Sequence, residues 1–181
     1  MFMDYTCPFS FLTTHRLERV AHDLHVSVER CAFELSPAPQ PVAPAPSEQQ
    51  WATIADLAAQ AAVVLRRPAF VPRTRKAHEA TKFAAKVGMA EVLERAIFEA
   101  YFTRAEDIGR IDVLVDIGAA AGIDRFDLKL ALDLDVHTDD VVSDRRRAEA
   151  LEITGTPALL AGNDLHVGYL SEKQLRDWLG D

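Results

Sequence analysis

A basic surplus, long apolar runs, paired cysteines and glycine-rich loops are all missing from this sequence, and each absence removes a class of function. Lys and Arg number 20 against 28 Asp and Glu, a net charge of −8. That balance argues against a phosphate-backbone partner, because nucleic-acid binders present a basic footprint. The short basic runs Arg66-Arg67, Arg73-Thr74-Arg75-Lys76 and Arg145-Arg146-Arg147 lie among acids and read as solvated faces. No stretch approaches the ~20 apolar residues of a membrane span, and no basic segment followed by an apolar one opens the chain. Neither anchor nor signal peptide is expected, and the expected location is cytoplasmic. Two cysteines, Cys7 and Cys31, are too few for a disulfide framework, and a bond between them is not expected in a reducing compartment. His22 and His25 have no further Cys or His at ligand spacing. The acids Asp133, Asp135, Asp139, Asp140 and Asp144 lack the glycine and closing glutamate of a calcium loop, so no metal site is expected. No phosphate-cradling loop is present, and nothing singles out a Ser/His/Asp triad.

What is present is enough apolar residue, 49% of a 181-residue chain, to bury the core of one domain carrying a sizeable insertion. Apolar residues recur at helical spacing from Phe11 to Leu24, predicting a helix over 8–25 with Arg16, Glu18, Arg19, His22 and Asp23 on its outer side. Alternation over Val26 to Leu35 predicts a strand, with Val26, Val28, Cys31 and Phe33 inward. The proline run from Pro37 to Pro46 forbids helix and sheet and predicts an extended connection; Pro41 and Pro44 have the spacing of a PxxP ligand, a less economical reading. Residues 47–134 read as helices only. Ser47 caps the first of them, and Val92, Leu93, Ala96, Ile97, Ala100 and Tyr101 form the inner side of another. Asp139 or Asp140 is expected to cap a helix reaching Ile153. A hairpin follows over 158–169, turning at Gly162-Asn163, and Ser171 caps a closing helix.

Cys7 stands where an extended start gives way to the first helix, with Pro8 where its missing N–H costs nothing. The plain reading is a small buried hydrophobe. The chemical reading is a thiol whose pKa falls beneath the unpaired N–H groups and positive potential of a helix N-terminus.

The order of elements favours the second. Asp4-x-x-Cys7-Pro8-Phe9-Ser10, Phe33-Glu34-Leu35-Ser36-Pro37 and Gly155-Thr156-Pro157 resemble the active-site motif, second-strand end and cis-proline loop of the DsbA family of thioredoxin-fold proteins. Thr74-Arg75-Lys76-Ala77-His78, Ala100-Tyr101-Phe102 and Ala121-Gly122-Ile123-Asp124 resemble the branch holding 2-hydroxychromene-2-carboxylate isomerases and kappa-class glutathione transferases. The resemblance implies an α/β thioredoxin fold with an all-helical domain inserted between the second and third strands. Residues 1–46 and 135–181 would form the thioredoxin-like part and 47–134 the insertion. Relatives carry a full strand before Asp4, so the first strand is expected to be shortened, or the start to lie upstream of Met1.

The resemblance also implies a thiol–disulfide oxidoreductase with Cys7 and Ser10 catalytic and Pro8, Phe9, Thr156 and Pro157 contacting substrate, the Thr156 backbone pairing with it beside a cis bond. Ser10 stands where dithiol members have a second cysteine, so the implied mechanism is monothiol, with the Ser10 hydroxyl donating to the Cys7 thiolate. No tightly bound cofactor is implied. The co-substrate would be glutathione or another low-molecular-weight thiol, the partners small thiols, disulfides or protein disulfides, and a homodimer is compatible. Two alternatives stay open. One is a glutathione-dependent isomerase or transferase, with Cys7 at the position of those members' serine and Arg73 to Lys76 as anion contacts. The other is a non-catalytic binding protein that keeps the fold for its groove.

Overall fold

The computed structural model describes residues 1–180. A four-stranded sheet has the order β2-β1-β3-β4, with β1 (Phe2–Met3) parallel to β2 (Cys31–Ala32) and antiparallel to β3 (Ala158–Ala161). The last strand, β4 (Asp164–Val167), is the hairpin partner of β3, and Gly162 turns that hairpin at φ 59°. Because side chains alternate across a strand, the short β1 serves two cores. Phe2 joins Cys31, Phe33, Ala148, Ile153 and Ala158 on one face, while Met1 and Met3 join Leu17, Val20, Leu159 and Leu175 on the other.

The first helix, α1 (Pro8–Leu24), follows β1 and ends with His25 in the left-handed conformation, as the apolar spacing requires. Between β2 and β3 lie α2 (Glu48–Gln60), α3 (Arg75–Lys86), α4 (Ala90–Phe102), α5 (Ile111–Ala120), α6 (Arg125–Asp133) and α7 (Thr138–Ala150), and α8 (Glu172–Gly180) closes the chain. This is the thioredoxin fold with its helical insertion between the second and third strands, and with a first strand of only two residues. The center of the insertion is α3, which touches α4, α5, α6 and α7. Its Ala77, Ala80 and Ala84 let those helices approach closely, and Leu93, Ile97, Phe98 and Phe102 of α4 fill the space beside them. No helix among the described residues is long and apolar enough to cross a membrane.

Three sequence expectations need correction. Regular pairing in β2 covers Cys31–Ala32 rather than 26–35; a strand needs a neighbour, and the short β1 pairs only Phe2 with Cys31 and Met3 with Ala32, flanked by bonds from Cys31 N–H to Met1 and from Phe33 N–H to Met3. Val92 is exposed on α4. At the start of α7 neither Asp139 nor Asp140 caps: His137 occupies the cap, and the Asp140 carboxylate pairs with its Nδ1 at 2.7 Å. The two serine caps form as expected, Ser47 as a reciprocal capping box with Gln50 and Ser171 bonding the Gln174 N–H.

Candidate active site

The site begins with a buried carboxylate. Asp4, enclosed at the end of β1, accepts from the Thr6 N–H and hydroxyl, both at 2.6 Å, from the Leu35 N–H at 2.8 Å and from the Thr74 hydroxyl at 2.9 Å. One side chain thus fixes the motif loop, the segment after β2 and the start of α3. Burial pushes the Asp4 carboxyl upward, and these four donors pull against it. The neighbouring Tyr5 ring packs against His78 and Phe98 at 4.9 Å and its hydroxyl meets that of Thr81. The loop is therefore held to the helical insertion as firmly as to the sheet.

On this support Cys7 is the N-cap of α1, extended at φ −87° and ψ 111°, with Pro8 opening the first turn. Its sulfur accepts from the Ser10 N–H at 3.4 Å and donates to the Thr156 carbonyl at 3.3 Å. The Thr156-Pro157 bond is cis, and the Pro157 carbonyl accepts from the Gly168 N–H at 2.8 Å. Cys7, Ser10 and Thr156 therefore meet at one sulfur although 149 residues separate the first from the last. The hydroxyls of Ser10 and Thr156 are both enclosed and without a hydrogen-bond partner, and both side chains favour charge on the Cys7 sulfur.

The thiol itself is 5% exposed. Burial pushes its pKa above the ordinary value, and the Ser10 and Thr156 groups recover only part of the rise. This reverses the sequence expectation of a lowered pKa: the N-terminal potential is present, but desolvation of the thiolate is larger. The hydroxyl of Ser10 makes no hydrogen bond to the sulfur in this state; the Ser10 N–H does. Cys31 lies buried between the sheet and α7, a free packing thiol.

Pro8 and Phe9 line a cleft of about 440 Å³ whose other walls are Pro44, Ala45, Pro46 and, on α2, Gln50, Thr53 and Ile54. The proline segment, expected as a connector, is thus a wall of the cleft that Pro8 and Phe9 line. Larger or better enclosed hollows lie elsewhere, between α1 and α4 and beside α5, and do not touch Cys7. The side chains of Arg73 to Lys76 that were candidates for anion contacts are internally engaged: Arg73 donates to the Ser36 and Gln40 carbonyls, Arg75 to Glu34, and Lys76 to Glu79 and Asp135.

Sequence reasoning missed three contributors. Asp4 was visible only as a motif letter. Tyr169, 6.3 Å from Phe9 ring to ring, carried no signal. Arg16, expected outside, is 6% exposed and lies over the Tyr169 ring at 5.0 Å. Its signal was available, since Leu12, Arg16 and Val20 fall four residues apart on the apolar stripe.

Known proteins match along the whole chain. Residues 1–180 fit the family model of the DSBA-like thioredoxin domain. The uncharacterized protein YwbO of Bacillus subtilis is 30% identical over 176 residues, covering 93% of this chain and 88% of its own. A probable DsbA oxidoreductase from Streptomyces coelicolor superposes with a TM-score of 0.86 at 24% identity, covering 98% of this chain and 86% of that one. A 2-hydroxychromene-2-carboxylate isomerase follows at 0.77 and 18%, covering 99% and 91%. The cytosolic disulfide reductase DsbM of Pseudomonas aeruginosa, solved with GSH, stands at 0.72 and 14%, covering 99% and 94%. These likenesses at low identity carry the fold, and the whole-length family match carries membership: the chain belongs to the DSBA-like thioredoxin domain family.

Proposed function

We propose that this protein is a thiol–disulfide oxidoreductase that works through Cys7 alone, with a low-molecular-weight thiol such as glutathione as co-substrate. The observation that carries the reading is the sulfur's setting. It caps a helix beside Thr156, and two enclosed hydroxyls with no other partner flank it. Unsatisfied buried hydroxyls are costly in a packed site, and a sulfur bearing negative charge is the acceptor that would satisfy both.

The electrons balance without an internal partner. The Cys7 thiolate attacks one sulfur of a substrate disulfide, the S–S bond breaks, and the other sulfur leaves as a thiolate that takes up the proton Cys7 lost. An external thiolate then attacks the substrate-derived sulfur of the Cys7 mixed disulfide and releases Cys7 as thiolate, leaving a disulfide between the external thiol and that substrate sulfur. A further external thiol reduces this disulfide by the same exchange, so over the cycle one disulfide is reduced for two thiols oxidised. Ser10 in place of a second thiol makes the external step obligatory. The Thr156 N–H, which has no partner among the described residues, would pair with the bound thiol. The structural neighbour DsbM, a cytosolic disulfide reductase solved with GSH, supports the same direction.

A glutathione-dependent isomerase is the second reading, favoured by one observation: the buried Cys7 sulfur, its pKa raised, donates to the Thr156 carbonyl, an arrangement suited to donating a hydrogen bond to a bound thiolate rather than attacking. Mixing the protein with oxidised glutathione and weighing it intact separates the two. A glutathione-sized adduct lost in Cys7→Ser and kept in Cys31→Ser, together with loss of coupled disulfide reduction in Cys7→Ser, is expected. Absence of the Cys7 adduct together with glutathione-dependent isomerase or transferase turnover retained in Cys7→Ser would overturn the proposal in favour of the isomerase, and indifference of every thiol assay to Cys7→Ala would leave a binding protein.

A further inference from the structure

Arg16 is a buried cation that the fold leaves without an anion. Its guanidinium takes part in no hydrogen bond or ion pair among the described residues; Nη1 is enclosed with no partner, while Nε and Nη2 are not enclosed. The acid that most favours its charge, Glu172, is already held by Arg19 at 2.8 Å and Arg176 at 3.1 Å. Arg30, also enclosed, has Glu94 at 2.9 Å. What Arg16 has instead is the face of Tyr169 at 5.0 Å. A ring face offsets only part of the cost of burying a guanidinium.

Its place in the fold connects this surplus charge to the sulfur. Positions 9, 13 and 16 share one face of α1. Phe9 stands two residues from Cys7; Thr13 is fully buried with its hydroxyl unpartnered; Tyr169 lies between Phe9 and Arg16 at 6.3 and 5.0 Å. Tyr169 follows Gly168, whose N–H bonds the Pro157 carbonyl, so the ring is tethered to the loop that carries Thr156. The row from Phe9 to Arg16 is no longer than an extended tripeptide, ~10 Å. Two unpartnered buried polar atoms, one cationic, thus lie along one helix face that starts two residues from Cys7.

We propose that Arg16 selects the co-substrate: the small thiol that exchanges with Cys7 carries a carboxylate, which the Arg16 guanidinium receives and the Thr13 hydroxyl supports as the Tyr169 ring moves aside. The guanidinium fork suits two carboxylate oxygens at once. This rests on the thiol-exchange reading of Cys7, and adds to it the class of thiol.

Two measurements test it. The first compares 3-mercaptopropionate with 2-mercaptoethanol as the thiol that resolves the Cys7 mixed disulfide, in wild type and in Arg16→Gln. The ratio of the two rate constants is expected to fall about tenfold in the variant, the scale of one charge-assisted hydrogen bond. An unchanged ratio in a variant with native circular dichroism overturns the proposal. The second uses wild-type protein only, so a misfolded variant does not obscure the answer. S-methylglutathione is expected to raise the thermal midpoint and its diethyl ester to leave it unmoved; equal shifts, or none with either, overturn the proposal. Should no thiol resolve Cys7, the oxidoreductase reading fails while the S-methylglutathione measurement, repeated in Arg16→Gln where the shift is expected to be lost, still decides the role of Arg16.

Discussion

Replacing Ser10 by alanine is expected to make the protein more stable and its sulfur less reactive at once. The Ser10 side chain is fully buried and its hydroxyl has no partner. An unsatisfied buried hydroxyl costs about 1–3 kcal/mol, and the small void left by one oxygen returns part of that, so Ser10→Ala should gain about 1 kcal/mol in a urea melt near neutral pH, where Cys7 is a thiol. In the thiolate state the sign reverses. A hydrogen bond to a charged sulfur is worth about 1.5–3 kcal/mol, and its loss raises the Cys7 pKa by about one to two units. Each unit cuts the thiolate fraction tenfold while the remaining thiolate becomes roughly threefold more nucleophilic. Alkylation by iodoacetamide at a fixed pH below the pKa should therefore slow about three- to tenfold, measured with Cys31→Ser as background so that one thiol reports. A variant that is less stable, or one that alkylates along the wild-type pH curve, would refute the assignment of that hydroxyl to the charged sulfur.

Other expectations follow from the same structure. Burial holds His78 at a pKa of about 4 against an ordinary 6.5, so the unfolded chain binds the extra proton first. Its contribution is intact above pH 6.5 and is lost as pH falls toward 4, by about 3 kcal/mol in all. Denaturation midpoints of wild type and His78→Gln across that window check this, and parallel slopes would contradict it. Glu94→Gln should cost about 3–5 kcal/mol, because it strands the Arg30 guanidinium in the interior; a change under ~1 kcal/mol in chemical denaturation would show that solvent reaches Arg30. Gly118→Ala drives a methyl into Leu128 Cδ2, well inside van der Waals contact, where α5 meets α6. A loss of about 1–3 kcal/mol is expected from this overpacking, read as a lowered thermal midpoint, and an unshifted midpoint would mean that Leu128 has room to turn.

The parts of this molecule legible in the sequence are those set by local rules. Pro8 after Cys7, the apolar spacing from Phe11 to Val20, and Ser47 with Gln50 each specify a helix start or a helix face without reference to the rest of the chain. The order of these elements then carried the fold. What stayed hidden depends on partners distant in sequence. Alternation over 26–35 looks like a long strand, yet β1 pairs with only a short part of it. The inner side of α3 did not show as an apolar stripe, because a helix touched by four others buries His78, Glu79 and Thr81 along with its alanines. Arg16 looked external by its charge although its position on the wheel was internal. At the site, the meeting of Cys7 and Thr156 came from the resemblance and is found in the geometry; the wall made by Pro44 to Pro46 needed three dimensions.

The direction of the Cys7 shift follows from the sizes of two opposing effects. A helix N-terminus stabilises a nearby anion by about 0.3–1 kcal/mol at the surface and up to ~2 kcal/mol when partly buried, at most about one and a half pKa units. Removing a thiolate from water can raise its pKa by up to 3–5 units. At 5% exposure the second effect exceeds the first, and the carboxylate of Asp4 adds to it from within the same loop. The residues that oppose it are the two that the motif and the proline loop bring to the sulfur, Ser10 and Thr156. A surface thiol at the same helix end would be reactive toward any disulfide. Here burial raises the pKa of the sulfur, which donates to the Thr156 carbonyl, so in the proposed exchange charge would develop on it as a substrate enters. Under the proposed exchange chemistry, recognition by the groups around the sulfur would govern its reactivity, and discrimination among thiols would belong to Phe9, Tyr169 and Arg16 rather than to an intrinsically acidic cysteine.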